Sequence, residues 1–166
     1  MLHFFFTLSA SHCKFGSVPP PDNPYGLPNA TQTGANTFAC LVNGNPFIAY
    51  NDGILLRAGV NLNTLSFYGA PKRGYGDIEF QIKTGFWTDT VYNINPINVF
   101  GTYVTDSTCL GITGSFTTSN AISGSIKLTR VDLTQKIMSG TFNCIFLIPN
   151  CDTIKVTEGR FDIQYY

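Results

Sequence analysis

The last third of the chain, Gly124 to Tyr166 (GSIKLTRVDLTQKIMSGTFNCIFLIPNCDTIKVTEGRFDIQYY), decides the fold class. From Thr141 to Ile148 the even positions are apolar: Phe142, Cys144, Phe146 and Ile148. Side chains of a strand alternate between faces, so this period of two turns those four residues to one side. A helix would need apolar residues three and four apart, and the β-branched and aromatic content of the run disfavours one. Pro149 ends the run because proline has no amide hydrogen for a ladder. The chain returns over Asp152 to Glu158, with Ile154 and Val156 on one face. After Gly159 the apolar set moves to odd numbers: Phe161, Ile163 and Tyr165. A one-residue change of phase at a glycine predicts a β-bulge or a short bend. Ser125 to Val131 reads as the partner strand and Asp132 to Lys136 as the connection, so the block is an antiparallel meander.

The same signature recurs upstream. Phe38, Cys40 and Val42 share a parity, and Asn43-Gly44 then supplies the left-handed residues of a type I′ turn. The return strand, Asn45 to Tyr50, places Phe47 and Ala49 opposite Cys40 and Phe38. Leu65 and Phe67 mark another strand, and Ile78, Phe80 and Ile82 alternate with Glu79, Gln81 and Lys83. Ile97 to Val104 and, more weakly, Gly111 to Thr117 read as strands. Asn51-Asp52-Gly53 reads as a turn, Gly59 to Asn63 and Gly69 to Asp77 as loops, and Trp87 to Asn95 fits neither pattern. The expected fold is therefore all-β, a mostly antiparallel β-sandwich of about 8 to 10 strands. A flattened calycin-like barrel is the alternative, and it would enclose a ligand pocket.

Composition agrees. Charged residues are 12% and aromatics 14% of the chain, with 16 glycines, a balance that suits short strands and tight turns. Ten basic residues against ten acidic ones leave no basic stripe, which excludes nucleic acid as the expected partner. With 166 residues there is one domain, expected over 35–166. Residues 1–12 read as a signal-like segment: Phe4, Phe5, Phe6 and Leu8 make an apolar core far below the ~20 residues of a membrane-spanning helix. Residues 13–34, rich in Pro, Asn, Gly and Ser with Pro19 to Pro21 in a row, read as a flexible tether.

The run Leu8-Ser9-Ala10-Ser11-His12-Cys13 resembles a bacterial lipobox, with His12 where that motif takes Gly, Ala or Ser. Cys13 is accordingly the lipidation candidate, and the chain is expected to be exported, either lipid-anchored in the cell envelope or secreted. The anchor would be its sole contact with a membrane. Four cysteines then remain, Cys40, Cys109, Cys144 and Cys151, which allow three pairings. A Cys109–Cys151 bridge would close about 42 residues, worth roughly 4 kcal/mol in the chain-entropy account. Cys144 shares its parity with Phe142 and Phe146, which also suits a free buried thiol.

Three stretches resemble an uncharacterised family of Bacteroidetes lipoproteins: LPNATQTGANTFACLVNG (Leu27 to Gly44), the cysteine before GIT (Cys109), and MSGTFNCIF…CDTIKVTEGRFDI (Met138 to Ile163). The likeness spans Leu27 to the C-terminus, with residues 51–108 matching only in pattern. It implies an envelope location and supplies no catalytic residues. It favours Cys109 with Cys151 as the disulfide, because both lie in motif-like surroundings.

Chemistry is sparse. The two histidines, His3 and His12, lie in the signal-like segment, so the domain has no histidine for a nucleophilic relay or a metal site. No Walker loop, dinucleotide fingerprint or HExxH is present, and no cofactor or metal is expected. Asp77 and Glu79 share the solvent face of one strand, where a carboxylate-dependent hydrolase would need a pair, but they read first as solvating residues beside Lys83. Asp52 reads as a turn residue rather than a calcium ligand. Asp162, flanked by Phe161 and Ile163, reads as a surface charge. The remaining chemistry is aromatic: Tyr50, Tyr68, Tyr75, Trp87, Tyr92 and Tyr103 fall at strand edges and loops. Most are expected in the core, while Trp87 and Tyr75, beside glycines and outside clear alternation, are the ligand-binding candidates. The expected function is non-catalytic binding of a glycan or a protein partner. A small-molecule carrier with an interior pocket, and then a hydrolase, are the alternatives.

Overall fold

The computed structural model of the chain describes residues 23–49, 55–71, 76–83, 85, 87–95, 97–106, 116–148 and 152–166. Among them there is no helix, and ten strands make one antiparallel sheet. They are β1 (Thr37–Val42), β2 (Asn45–Ile48), β3 (Leu56–Asn61), β4 (Thr64–Gly69), β5 (Asp77–Ile82), β6 (Thr90–Asn93), β7 (Val99–Asp106), β8 (Phe116–Asp132), β9 (Ile137–Leu147) and β10 (Thr153–Gln164). The order across the sheet is β2-β1-β10-β9-β8-β7-β5-β4-β3, with β6 paired to β8. The sheet curls into a half-barrel, consistent with the sandwich or barrel-like class.

The curl is made by β8. Its first part, Phe116 to Asn120, pairs with β7, whereas Ser125 to Leu128 pairs with β6 on the same edge. β9 runs along the other edge, with register shifts at Ala121/Ser123 and Leu128/Arg130. Bulges of this kind bend a strand and increase its twist, which lets one long strand serve two halves of a folded sheet. Gly124 sits at the bend with φ 140, a conformation side chains rarely adopt. A Cβ there would also lie 2.2 Å from the Asn143 carbonyl oxygen.

The inner faces meet ring against ring. Phe38 of β1, Phe161 of β10 and Phe142 of β9 face Phe67 of β4 and Phe80 of β5. Phe67 stacks on Phe161 with centroids 4.0 Å apart, and Phe142 lies 4.9 Å from Phe80 and 5.1 Å from Phe38. Tilted and offset aromatic pairs each add about 1 kcal/mol beyond their area burial, and these join strands far apart in sequence.

The predicted parities hold. Phe142, Cys144, Phe146 and Ile148 are buried, and so are Phe161, Ile163 and Tyr165 after the change of phase. The bulge lies between Val156 and Gly159 and puts Glu158 at φ 54. The first hairpin has the expected turn, with Asn43 and Gly44 at φ 49 and 81 and Cys40 opposite Phe47. Two segments differ. Gly59 to Asn61, expected in a loop, belong to β3, and the turn is only Leu62 and Asn63. Part of the ambiguous stretch from Trp87 to Asn95 forms β6.

Replacing Gly124 by alanine forces the bend out of its conformation against fixed backbone, and should lower the unfolding free energy by about 3 kcal/mol in urea. Gly44→Ala, with nothing within 4 Å of its Cβ, should cost only about 1 kcal/mol. Equal effects would show that the bend at Gly124 is not required for the curl.

Candidate functional site

Alternation along β10 places Phe161 and Ile163 in the core and turns Asp162 to the outer face, opposite Ser139 of β9 and Thr37 of β1. That face is covered, and Asp162 is 0% exposed. Residues 31–35 lie across it. The Thr31 hydroxyl donates to Oδ2 at 2.6 Å, and the Thr33 and Ala35 amides donate to the same oxygen at 2.9 and 3.1 Å. Oδ1 accepts from the Gly34 amide at 2.8 Å and from the Ser139 hydroxyl at 2.6 Å. Burial is the largest single influence on this carboxyl and would push its pKa up. The hydrogen bonds from Ser139, Thr31, Ala35 and Thr33 together outweigh it and hold the pKa at about 2. The reading of Asp162 as a surface charge is thus wrong: it is a buried anchor whose cover comes from the other end of the chain.

The same contacts revise the expected tether. Residues 23–34, within the stretch read as flexible, form a strap against β1, β10 and β8. Leu27 packs on Ala39 and Leu41, Arg160 donates to the Pro28 carbonyl at 3.4 Å, and Arg130 donates to that of Gln32. The strap borders two clefts of about 510 and 460 Å³, which share Glu158 and Arg160.

The outer face of the other half of the sheet is half-exposed, with no described segment laid across it as the strap is, and carries aromatic and charged residues in register. Arg57, Tyr68, Glu79 and Thr102 form one row across β3, β4, β5 and β7, and Gly59, Ser66, Gln81 and Phe100 form the next. The Arg57 guanidinium lies 4.9 Å from the centre of the Tyr68 ring, and the Lys83 ammonium 4.5 Å from that of Phe100. The space where a Gly59 side chain would stand is open, and a cleft of about 340 Å³ lies there, lined by Arg57, Ser66, Tyr68 and Glu79. Tyr68 has its phenol pushed up to about 12, first by burial and then by its hydrogen bond to Asp77. Gln81 donates to Glu79 at 2.9 Å. The arrangement offers a planar cation on a planar ring, with donors and acceptors at its rim. It has no sequence signal beyond the alternation, which set Glu79 and Lys83 on one face without showing what lay beside them.

Of the sequence candidates, Trp87 is 71% exposed in the connection between β5 and β6. Its amide donates to the Tyr92 hydroxyl at 2.6 Å, and that hydroxyl donates to the Gly85 carbonyl at 3.0 Å. Its indole edge lies against Gly85, where a Cβ would come within 3.1 Å of Nε1. Trp87 is therefore held as a fixed, exposed perch, separate from the residues lining the Tyr68 cleft. Tyr92 and Tyr103 are buried, as expected of most of the aromatics. Tyr75, Asp52 and the cysteines Cys13, Cys109 and Cys151 lie outside the described residues. Cys40 and Cys144 are free and buried; burial pushes both thiols up, Cys40 to about 12. Among the described residues, no group of three or more His, Cys, Asp or Glu is placed to hold a metal ion. Comparison with protein-family models, with curated proteins and with solved structures found no match to this chain.

Asp162→Asn keeps the shape of the anchor but sets amide hydrogens against donors. At pH 7 it should lower the unfolding free energy by about 2 kcal/mol or more. The folded-state pKa lies below the ordinary 3.8, so this stability is present in full above pH about 5 and fades as the pH falls through about 2. Urea titrations should show wild type and variant converging over that window; equal stability at pH 7 would show the anchor idle.

Proposed function

We propose that this chain is a non-catalytic binding domain of an exported or cell-envelope protein, and that it takes a glycan on the Arg57–Tyr68–Glu79 face. The observation that carries this reading is the register itself. Tyr68 and Phe100, each paired with a cation, stand on one half-exposed face among Glu79, Gln81, Ser66 and Thr102, beside an open cleft. Flat apolar surface bordered by planar polar groups suits a sugar ring, whose axial hydrogens stack while its hydroxyls bridge donor and acceptor. Export rests on the apolar leader before Cys13 and on the likeness to envelope lipoproteins.

The carrier reading has less support. Phe38, Phe67, Phe80, Phe142 and Phe161 fill the space between the two halves of the sheet, where an interior ligand would sit. The hydrolase reading would use Asp77 and Glu79, about 7 Å apart along one strand. Both already serve the face, Asp77 by holding the Tyr68 hydroxyl and Glu79 by accepting from Gln81.

A glycan array probed with wild type, Tyr68→Ala and Trp87→Ala tests the proposal. Wild type should bind a subset of glycans, Tyr68→Ala should lose about tenfold or more in affinity, and Trp87→Ala should keep it. Loss with Trp87→Ala alone would move the site to the Trp87 perch. No signal on any glycan would remove the sugar reading.

A further inference from the structure

The Arg57–Tyr68–Glu79 face carries the same arrangement twice. In the cleft of about 340 Å³ the Tyr68 ring lies under the Arg57 guanidinium, and Ser66 and Glu79 line it as well. A second cleft, of about 140 Å³, holds the Phe100 ring under the Lys83 ammonium, and is lined also by Gln81, Thr102 and again Glu79. Each cleft thus combines an aromatic ring, a cation, a hydroxyl residue and a carboxylate, and the carboxylate is the same one. Glu79 stands between the two on β5, where it accepts the hydrogen bond from Gln81 at 2.9 Å.

Strand pairing sets the distance between the two rings. Tyr68 lies opposite Glu79 and Gln81 opposite Phe100, so Phe100 is two strands across from Tyr68 and two residues along. With strands about 4.8 Å apart and each residue advancing about 3.4 Å, the two positions are separated by about 12 Å on the diagonal. A pyranose unit lengthens a linear glycan by about one strand spacing. Rings seated on Tyr68 and Phe100 would therefore be two units apart in one chain, with a further unit crossing Glu79 and Gln81 between them. The charges of the face balance too: among the described residues Arg57 and Lys83 stand against Glu79 and against Asp77, which holds the Tyr68 hydroxyl. An acidic group on a ligand would meet Glu79 from either cleft, whereas a sugar hydroxyl can accept from the cation and donate to the carboxylate.

We infer that the ligand of this face is a linear, uncharged oligosaccharide of at least three pyranose units, laid diagonally across β4, β5 and β7 with one ring at Tyr68 and the next but one at Phe100. The inference rests on the glycan reading and names its ligand class. A repeating site suits a repeating ligand. Neither ring alone offers much stacking surface, because a cation already lies over one side of each. Two weak subsites held at a fixed distance by the ladder add their free energies only for a chain long enough to reach both, since the second contact then forms without a second association cost.

The test is isothermal titration of the full chain with cello-, laminari- and malto-oligosaccharides, each from the monosaccharide to the hexasaccharide, and with oligogalacturonides as the charged counterpart. Wild type should bind one neutral series with affinity rising about tenfold or more from disaccharide to trisaccharide. Phe100→Ala and Tyr68→Ala should each erase that step. Phe100→Leu, which keeps apolar bulk beneath Lys83, should erase it with the melting temperature unchanged, and Trp87→Ala should leave it in place. A step that survives both Phe100 variants, a flat length profile, tighter binding of oligogalacturonides, or no binding of any neutral series would overturn the inference. Any of these together with binding on the glycan array would leave the glycan reading standing; silence on the array and in every titration would remove both.

Discussion

The carboxylate of Asp162 is the contact on which the rest of this fold depends. It joins β10, the last strand, to a stretch of chain about 130 residues earlier that forms no strand of its own. A buried charge without partners would cost several kcal/mol, so it persists only where every oxygen is satisfied. Here the partners are backbone amides and hydroxyls from residues 31–35 together with Ser139, and the charge specifies one placement of that segment. In turn the segment covers the outer side of β1, which lets Ala39 and Leu41 be buried as fully as Phe38 and Cys40 on the inner side.

From that placement follows a division of labour between the halves of the sheet. One half is covered on both sides, its inner face by the phenylalanine cluster and part of its outer face by the strap. The other, across the bend in β8, is covered by described residues only on its inner side. Its outer face is left for Arg57, Tyr68, Glu79, Gln81 and Phe100, which contribute little to the core and are arranged in rows by strand pairing alone. Recognition surfaces on β folds commonly arise this way, with a rigid ladder setting the spacing of side chains that packing does not use.

Much of the architecture was legible because alternation is a local property. The parity of Phe142 to Ile148, the change of phase at Gly159 and the Asn43-Gly44 turn are written in neighbouring residues, and each is found as expected. What the sequence hid is what depends on distant chain. Asp162 has the parity of an outward residue and does face outward; only the strap makes that face an interior. One local sign existed, since Phe38 to Val42 is apolar at every position, and a strand without alternation is a strand buried on both faces. The polar run at Thr31 to Gly34 looked like linker because its hydroxyls and amides serve a carboxylate rather than a core. Tyr68 was visible only as one aromatic among several, since its partnership with Arg57 and Asp77 needs three strands to be aligned. Trp87, the ligand-binding candidate beside a glycine, is exposed, although its support by Tyr92 and Gly85 was not readable.

The most direct test is residue-resolved amide hydrogen exchange at Thr33, Gly34 and Ala35. With the carboxylate as anchor, these amides should exchange in wild type as slowly as those of β10 at neutral pH, and Asp162→Asn should speed them while the amides of β4 and β5 stay protected. Free-peptide exchange rates at all three in the wild-type protein would contradict the anchor, and with it the placement of the strap.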